Sequence, residues 1–149
     1  MTGPSDNRRQ AVKEAGAAMA RLLVDDDDLV VRLSWPEGLA ARRRQVRVPL
    51  AALQRVAVET AWWRALRGEA DSGTWIPDTL LAGVRRYQRR HDFVAIRPGR
   101  PVVVADLGSA SPFARIAVTV PDPQATVDAI RAVLARRRTD GRNPVTDGG

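Results

Sequence analysis

The sequence contains no cysteine and a single histidine, His91, and these absences exclude several kinds of site. Without thiols the chain forms no disulfide, no thiolate metal site and no cysteine nucleophile. One histidine does not make a histidine metal cluster, and neither a Gly-x-Gly-x-x-Gly motif nor a P-loop occurs. The serines lack the nucleophile elbow of a Ser-His-Asp hydrolase. The sequence therefore predicts a protein that is not an enzyme, with no catalytic residue, no metal and no cofactor.

Long apolar runs are also missing. No stretch approaches the roughly 20 apolar residues of a membrane-spanning helix. The N-terminus lacks the basic and then apolar pattern of a secretory signal. The absence of cysteine suits a reducing compartment, so we expect a cytoplasmic protein. At 149 residues, a single main domain is expected.

Lysine is nearly absent, since Lys13 stands against 23 arginines in a chain of net charge +7. A basic protein of this kind suggests an anionic partner such as nucleic acid or a membrane surface. However, an excess of arginine, alanine and valine is also what a GC-rich genome would encode in any protein. We therefore expect much of the positive charge to be compositional, and a functional basic patch has to be argued from local clusters.

The pattern of apolar residues divides the chain into three parts. Residues 1–24 are predicted to be an N-terminal extension, helical from about residue 7 to 23, because apolar residues recur there every three or four positions. Residues 25–138 form the predicted domain, which begins with a solvated acidic linker at 25–28. Residues 139–149 are polar and glycine-bearing, and we expect a disordered tail.

Within the domain, apolar runs and alternating residues predict seven strands and a closing helix. Residues 67–74 are predicted to be a loop, Gly83 a bulge or a close backbone approach, and Trp35 a core residue at a strand end. The helix begins at Asp122-Pro123. The predicted strands cover residues 29–35, 45–50, 53–60, 79–87, 93–97, 102–107 and 114–120.

Seven short strands followed by one helix predict a mainly β (α+β) fold. Two antiparallel sheets would pack roughly orthogonally as a partly open barrel, and the C-terminal helix would cap one open end. The N-terminal helix would be an addition to this architecture.

Several short motifs occur in the order found in one family. They are VRVPL at residues 46–50, WRALRG at 63–68, DF at 92–93 and DP at 122–123. In this respect residues 28–136 resemble the bacterial pleckstrin-homology-like (PH-like) proteins of actinomycetes, which generally lack an assigned activity. The chain departs from the family pattern at Pro77-Asp78, where Pro-Gly is expected. The resemblance implies a PH-like domain.

The tryptophans are the main candidates for partner binding. Trp62 and Trp63 are adjacent, so on an extended chain they point to opposite faces and at most one is well buried. Trp75 lies in a polar, loop-like region. Exposed tryptophans near arginines are typical of interface hot spots. Our leading hypothesis is a non-catalytic interaction module that binds a protein or peptide partner through Trp62, Trp63 and Trp75.

Two further hypotheses use the arginines. The first is binding of anionic lipid headgroups or phosphates. The resemblance implies it, because better-known PH domains hold such ligands at the end of strand one and in the following loop. The corresponding residues here are Arg32, Arg42, Arg43, Arg44 and Arg47. The second is nonspecific binding of nucleic acid through the arginines at 85–90, which surround Tyr87, and at 136–138. A charged hairpin tip is the alternative interpretation of the former cluster. The oligomeric state stays open.

Overall fold

The structure is a computed structural model that describes residues 19–142, and these residues form a mainly β fold with two helices. Two short 3-10 turns, Leu50–Ala52 and Trp62–Ala65, connect strands. Neither helix within residues 19–142 has the length and apolar character required to cross a membrane. The elements are β1 (Arg21–Asp25), β2 (Asp28–Arg32), α1 (Trp35–Ala41), β3 (Gln45–Pro49), β4 (Leu53–Glu59), β5 (Glu69–Ile76), β6 (Leu80–Tyr87), β7 (Arg90–Ile96), β8 (Val102–Leu107), β9 (Arg115–Val118) and α2 (Pro123–Arg142).

The strands form two separate sheets. The small sheet has the order β1-β2-β3, and the large sheet has the order β4-β8-β9-β7-β6-β5. Two sheets were predicted, as parts of a partly open barrel, and the two sheets of the structure are not closed. Residues 19–142 contain nine strands where seven were expected. The large sheet is also not purely antiparallel, because β9 pairs in parallel with β7. After β7 the chain passes over one strand position before it forms β8, and β9 fills the position between these two strands.

The main core lies between the two sheets and α2. It is closed by alternating side chains of the strands, among them Leu29, Phe93 and Ile116, each fully buried. From α2, Val127 and Ile130 enter this core with 1% of their surface exposed. The prediction that the C-terminal helix directs its apolar stripe into the core is confirmed.

A second, smaller apolar cluster covers the opposite face of the large sheet. The 3-10 turn at Trp62–Ala65 and the side chain of Trp75 pack on it. The central strands are thus buried on both faces, which is why β7 and β8 are nearly continuous apolar runs in the sequence. The cluster consists of Ala65, Leu81, Val94, Ile96, Val102 and Ala117.

The N-terminal predictions need correction where the structure describes them. Residues 1–18, most of the predicted helix, lie outside the described residues, but Arg21 to Leu23 belong to β1 rather than to a helix. The strand forms because Leu22 is buried opposite Val31 while Arg21 faces solvent. The predicted acidic linker is the hairpin turn between β1 and β2, with Asp26 in the left-handed conformation (φ 56°).

Two other segments also differ from the prediction. Residues 69–74 belong to β5, not to a loop. Most of this edge strand is exposed, so it lacks the alternation that reveals a half-buried strand. Residues 139–142, predicted to begin the disordered tail, belong instead to α2, which continues to Arg142. Residues 143–149 lie outside the described residues.

Gly83 makes the predicted close backbone approach. It faces Gly73 across β5 and β6, and a Cβ atom on Gly83 would lie 2.7 Å from the Gly73 Cα and would also clash with the Ser72 carbonyl oxygen. Its φ of 154° also lies outside the range that side-chain-bearing residues prefer. In the neighbouring turn, Asp78 has φ 64° and so adopts the left-handed conformation that glycine favours.

Candidate functional site

Helix α1 is the element that positions the candidate site, and its sequence contains clear helix signals. Ser34 stands at the N-cap position, Pro36 lies in the first turn, and Glu37 follows Ser34 by three residues, which is the spacing of a capping box. The helix ends at Ala41, and the left-handed backbone of its C-cap residue Arg42 (φ 57°) lets the next N–H, of Arg43, donate to the Gly38 carbonyl at 2.9 Å.

The polarity of α1 is inverted relative to an ordinary surface helix. Trp35 and Leu39, four residues apart and so on one face, are 75% and 73% exposed. The acidic Glu37 is instead 1% exposed. The prediction that Trp35 is a core residue at a strand end is therefore wrong. β2 ends at Arg32, and the chain turns into α1 before Trp35 can enter the core.

Two polar contacts hold α1 in this orientation. Glu37 Oε1 accepts hydrogen bonds from Arg97 Nη2 at 2.8 Å and from Arg97 Nε at 3.1 Å. At the other end of the helix, Thr74 Oγ1 of β5 donates to the Ala40 carbonyl at 3.1 Å. The buried side of α1 is thus fixed to the large sheet by its charged residue, and this leaves the apolar residues on the outside.

We define the α1 surface as the groove of about 570 Å³ that surrounds the exposed face of this helix. Its lining combines apolar side chains with three arginines and contains no carboxylate. The lining residues are Leu33, Ser34, Trp35, Gly38, Leu39, Arg42, Arg43 and Arg44. A ligand that complements this surface is apolar where it meets Trp35 and Leu39 and negatively charged near the arginines.

The arginines predicted to bind anions have different environments. Arg42 and Arg44 are exposed, and their side chains have no hydrogen-bond or ion-pair partner among residues 19–142. Arg43 lies over the rings of Phe93 and Phe113, at 5.8 and 5.4 Å from their centroids.

The other two members of that set lie away from the groove. Arg47 pairs with Asp25 at 2.6 Å and with Asp28 at 3.1 Å, and these hydrogen bonds raise its pKa. Arg32 is exposed at the end of β2 and does not line the groove. Three of the five predicted arginines, Arg42, Arg43 and Arg44, therefore lie together at the α1 surface. Arg47 already forms ion pairs with two carboxylates of the protein itself.

The predicted tryptophan set lies together on the outer face of the large sheet. Trp62 and Trp75 pack on the smaller apolar cluster, and Trp63 contacts Trp62 edge to face at 5.9 Å between ring centroids. Trp62 and Trp75 are half-buried, while Trp63 is 58% exposed. Trp62 and Trp75 thus cover this cluster, and Trp63 is the member of the set that is mainly available to a partner.

Arginines of the predicted nucleic-acid cluster make internal contacts. Arg85 donates to the carbonyls of Arg67 and Gly68 at 2.9 and 2.7 Å, and its guanidinium lies 5.4 Å from the Trp75 ring centroid. Arg90 donates to the carbonyls of Leu107 and Gly108 at 3.0 and 2.8 Å. These side chains hold loops in place, which is a structural role.

A buried ion pair stands beside them. Asp92, fully buried, accepts two hydrogen bonds of 2.8 Å from Arg67, and the Arg67 guanidinium lies 4.7 Å from the Tyr87 ring centroid. This bidentate contact raises the pKa of the Arg67 guanidinium. Tyr87, the predicted stacking aromatic, is therefore already covered on one face by a cation.

Sequence reasoning missed Trp35 and Leu39 as site residues, although a signal for them was present. Ser34 and Glu37 at capping-box spacing, with Pro36 between them, indicate that a helix begins at residue 35. Residues four apart on that helix share a face, which would have placed Leu39 beside Trp35. The alternation of residues 29–35 concealed this, because it continues through Trp35 as if the strand did.

The α1 surface offers apolar contacts and guanidinium groups to a ligand. Among residues 19–142, no group of three histidine, aspartate or glutamate side chains is placed to hold a metal ion. No protein-family model matches the chain, and no curated protein and no solved structure matches it either.

Proposed function

We propose that this protein is a non-catalytic interaction module that binds an acidic, partly apolar segment of a protein partner on the α1 surface. The observation that carries the proposal is the inverted polarity of α1, which exposes Trp35 and Leu39 and buries Glu37. Contiguous exposed apolar side chains beside polar ones mark interaction sites on soluble domains. A large aromatic residue with arginine neighbours is also the usual composition of a hot spot.

The charges of the α1 surface define the partner further. Arg42 and Arg44 are unpaired within residues 19–142, and no carboxylate lines the groove. Guanidinium groups bind carboxylates bidentately, so acidic residues of the partner would pair with them. Apolar residues of the same segment would cover Trp35 and Leu39. The exposed Trp63 on the outer face of the large sheet extends the proposal to a second contact with a larger partner.

The PH-like relationship stays part of this proposal. Its support is the order of the four sequence motifs and the C-terminal helix that packs on a β core. The cytoplasm is the proposed compartment, which the cysteine-free sequence suits.

A second candidate function is peripheral binding to an anionic membrane surface. The observation that favours it is the same juxtaposition of an exposed tryptophan with arginines, since tryptophan prefers the membrane interface and each basic residue adds about 1 kcal/mol near anionic lipid. Nucleic-acid binding has less support, because Arg85 and Arg90 are engaged in internal contacts and Tyr87 is covered by Arg67.

The test is capture of proteins from a lysate of the source organism by the full chain and by variants. The double substitution Trp35→Ala and Leu39→Ala should remove the captured partner, and Arg42→Glu with Arg44→Glu should weaken it. Trp63→Ala tests the second contact separately, and Arg86→Glu with Arg89→Glu, two exposed arginines outside the groove, is the matched control for the change of charge. The proposal is wrong if the wild type and the Trp35→Ala, Leu39→Ala variant capture the same proteins equally. Binding to anionic but not neutral vesicles, lost in the same variants, would assign the surface to the membrane instead.

A further inference from the structure

The large sheet has two edge strands, and within residues 19–142 these two edges are protected to different extents. At the β4 edge, α2 packs against the strand, and Arg131 Nη2 donates to the Val56 carbonyl at 2.9 Å. A register shift between Leu53 and Arg55 also interrupts β4. Covering by a helix, side-chain capping and bulges are the usual means by which proteins protect edge strands from pairing with other chains.

At the opposite edge, β5, the protecting features found within residues 19–142 lie in the first half of the strand. Glu69 and Asp71 place charges there, and the register shifts between Ala70 and Ser72. Residues 72–76 contain no charge, no proline and no bulge, and their sequence is Ser-Gly-Thr-Trp-Ile. Five residues at about 3.3 Å each give an open edge of roughly 16 Å, which is enough for a short extended peptide.

The open part of β5 adjoins the α1 surface. Thr74 Oγ1 contacts the Ala40 carbonyl near the end of α1, and Ile76, two residues further, shares the face of Thr74 and is 48% exposed. Trp75 points to the other face of the sheet, where it packs beside the outer apolar cluster. A strand added to this edge would therefore direct alternate side chains toward α1 and toward Trp75.

Positive charge stands on both sides of the open edge. On the α1 side, Arg42 follows Ala40 by two residues, and on the outer side the Arg85 guanidinium lies over the Trp75 ring. This arrangement favours an acidic segment over a second copy of the chain. A symmetric pairing of two β5 edges would bring the arginines of two molecules of net charge +7 together.

We propose that the partner segment binds in extended form, as an additional β strand along residues 72–76 of β5, with acidic and apolar residues on both of its faces. This inference depends on the proposed function, because it places the bound segment next to the α1 surface. Backbone hydrogen bonds to the edge would supply affinity, and the side chains that reach Leu39 and Trp75 would supply specificity.

The experiment uses the full chain and three synthetic probes. The first is an end-capped ten-residue peptide in which glutamate-aspartate pairs alternate with valine-isoleucine pairs, so that each face of the extended strand carries both acidic and apolar residues. The second and third have the same sequence with every second backbone nitrogen methylated, on one edge in the second peptide and on the other edge in the third, which keeps the side chains but removes the donors of that edge. Binding is measured by calorimetry, and backbone amide hydrogen exchange reports where each peptide binds.

We expect the first peptide to bind and to slow amide exchange within residues 72–76. Of the two methylated peptides, at least one should bind at least tenfold more weakly than the first peptide does. Equal binding of the parent and both methylated peptides, or slowed exchange in α1 without any change in β5, would overturn strand addition and leave the proposed function standing. Failure of the first peptide to bind at millimolar concentration would also overturn strand addition by an acidic segment.

Two further results separate the inference from the proposed function. If Trp35→Ala with Leu39→Ala leaves both peptide binding and β5 protection unchanged, strand addition is supported and the α1 surface loses its proposed role. If the chain dimerises with protection of β5, and Arg42→Glu strengthens the dimer, the edge belongs to a second copy and the inference is wrong.

Discussion

Removing Arg67 should destabilise this protein far more than neutralising its partner, Asp92. The Asp92 carboxylate is fully buried and accepts two 2.8 Å hydrogen bonds from Arg67, whose side chain is 26% exposed. Arg67→Met keeps much of the arginine stem but leaves a buried carboxylate without these donors. Asp92→Asn instead leaves a guanidinium that still reaches water and still contacts Tyr87.

The magnitudes follow from this asymmetry. Leaving one member of a buried ion pair without its partner costs about 3–5 kcal/mol, so Arg67→Met should lower the free energy of unfolding by that amount. Asp92→Asn retains one acceptor and should cost about 1–2 kcal/mol. The double variant Arg67→Met, Asp92→Leu buries no charge, and we expect it to be more stable than Arg67→Met alone by about 2 kcal/mol.

Equilibrium unfolding in urea at pH 7, followed by tryptophan fluorescence and far-UV circular dichroism, measures all three variants against the wild type. Arg115→Met is a useful control, because Arg115 pairs with Asp106, whose side chain is 25% exposed and can be solvated when unpaired. A loss below 1 kcal/mol for Arg67→Met, or a double variant less stable than Arg67→Met, would refute the argument from burial.

Three other predictions concern the fold and the α1 surface. Gly83→Ala should lower the free energy of unfolding by more than about 2 kcal/mol, because the added Cβ would clash with β5. Gly99→Ala should cost only about 1 kcal/mol, since Gly99 has φ 94° but no atom lies within 4 Å of its added Cβ. Equal losses of the two variants in urea unfolding would contradict this. Ile130→Ala should cost about 2–5 kcal/mol because the side chain is 1% exposed in the main core, and a thermal midpoint equal to that of the wild type would show that α2 does not pack there. Trp35→Ala should change the free energy of unfolding by less than about 0.5 kcal/mol, since the side chain is 75% exposed, and a loss above 2 kcal/mol would mean that Trp35 is a structural residue after all.

The sequence predicts an element well where burial imposes a clear pattern. Residues 102–107 were predicted as a strand and form β8 with the same bounds, because the run of apolar residues is buried on both faces of the sheet. The helix after Asp122 was also predicted, from the Asp122-Pro123 pair that opens it. In the structure Asp122 Oδ1 caps the helix by accepting a hydrogen bond from the Ala125 N–H at 3.1 Å. Side-chain pattern and capping chemistry are local, and the sequence displays them directly.

Prediction failed where the deciding interaction is distant in sequence or the element faces solvent. The position of β9 between β7 and β8 depends on a parallel pairing, such as Phe93 with Ile116, that no local pattern records. β5 was missed because an exposed edge strand carries polar residues on both faces. The α1 surface was missed because the buried residue of this helix is the polar Glu37. Its burial depends on the hydrogen bond from Arg97, which lies 60 residues later in the sequence.

The pairing of β4 with β8 also has a consequence for synthesis of the chain. Val56 pairs with Ala105, so the strand that β4 needs leaves the ribosome about 50 residues after it. At roughly 5–20 residues per second this delay lasts about 3–10 s. During that time the nascent chain carries β4 without its neighbour and without the Arg131 cap, while the local hairpin of β5 and β6 can already form. A ribosome stalled before β8 would therefore hold a chain with an open, valine-bearing strand, and unpaired strand edges of this kind are prone to aggregation.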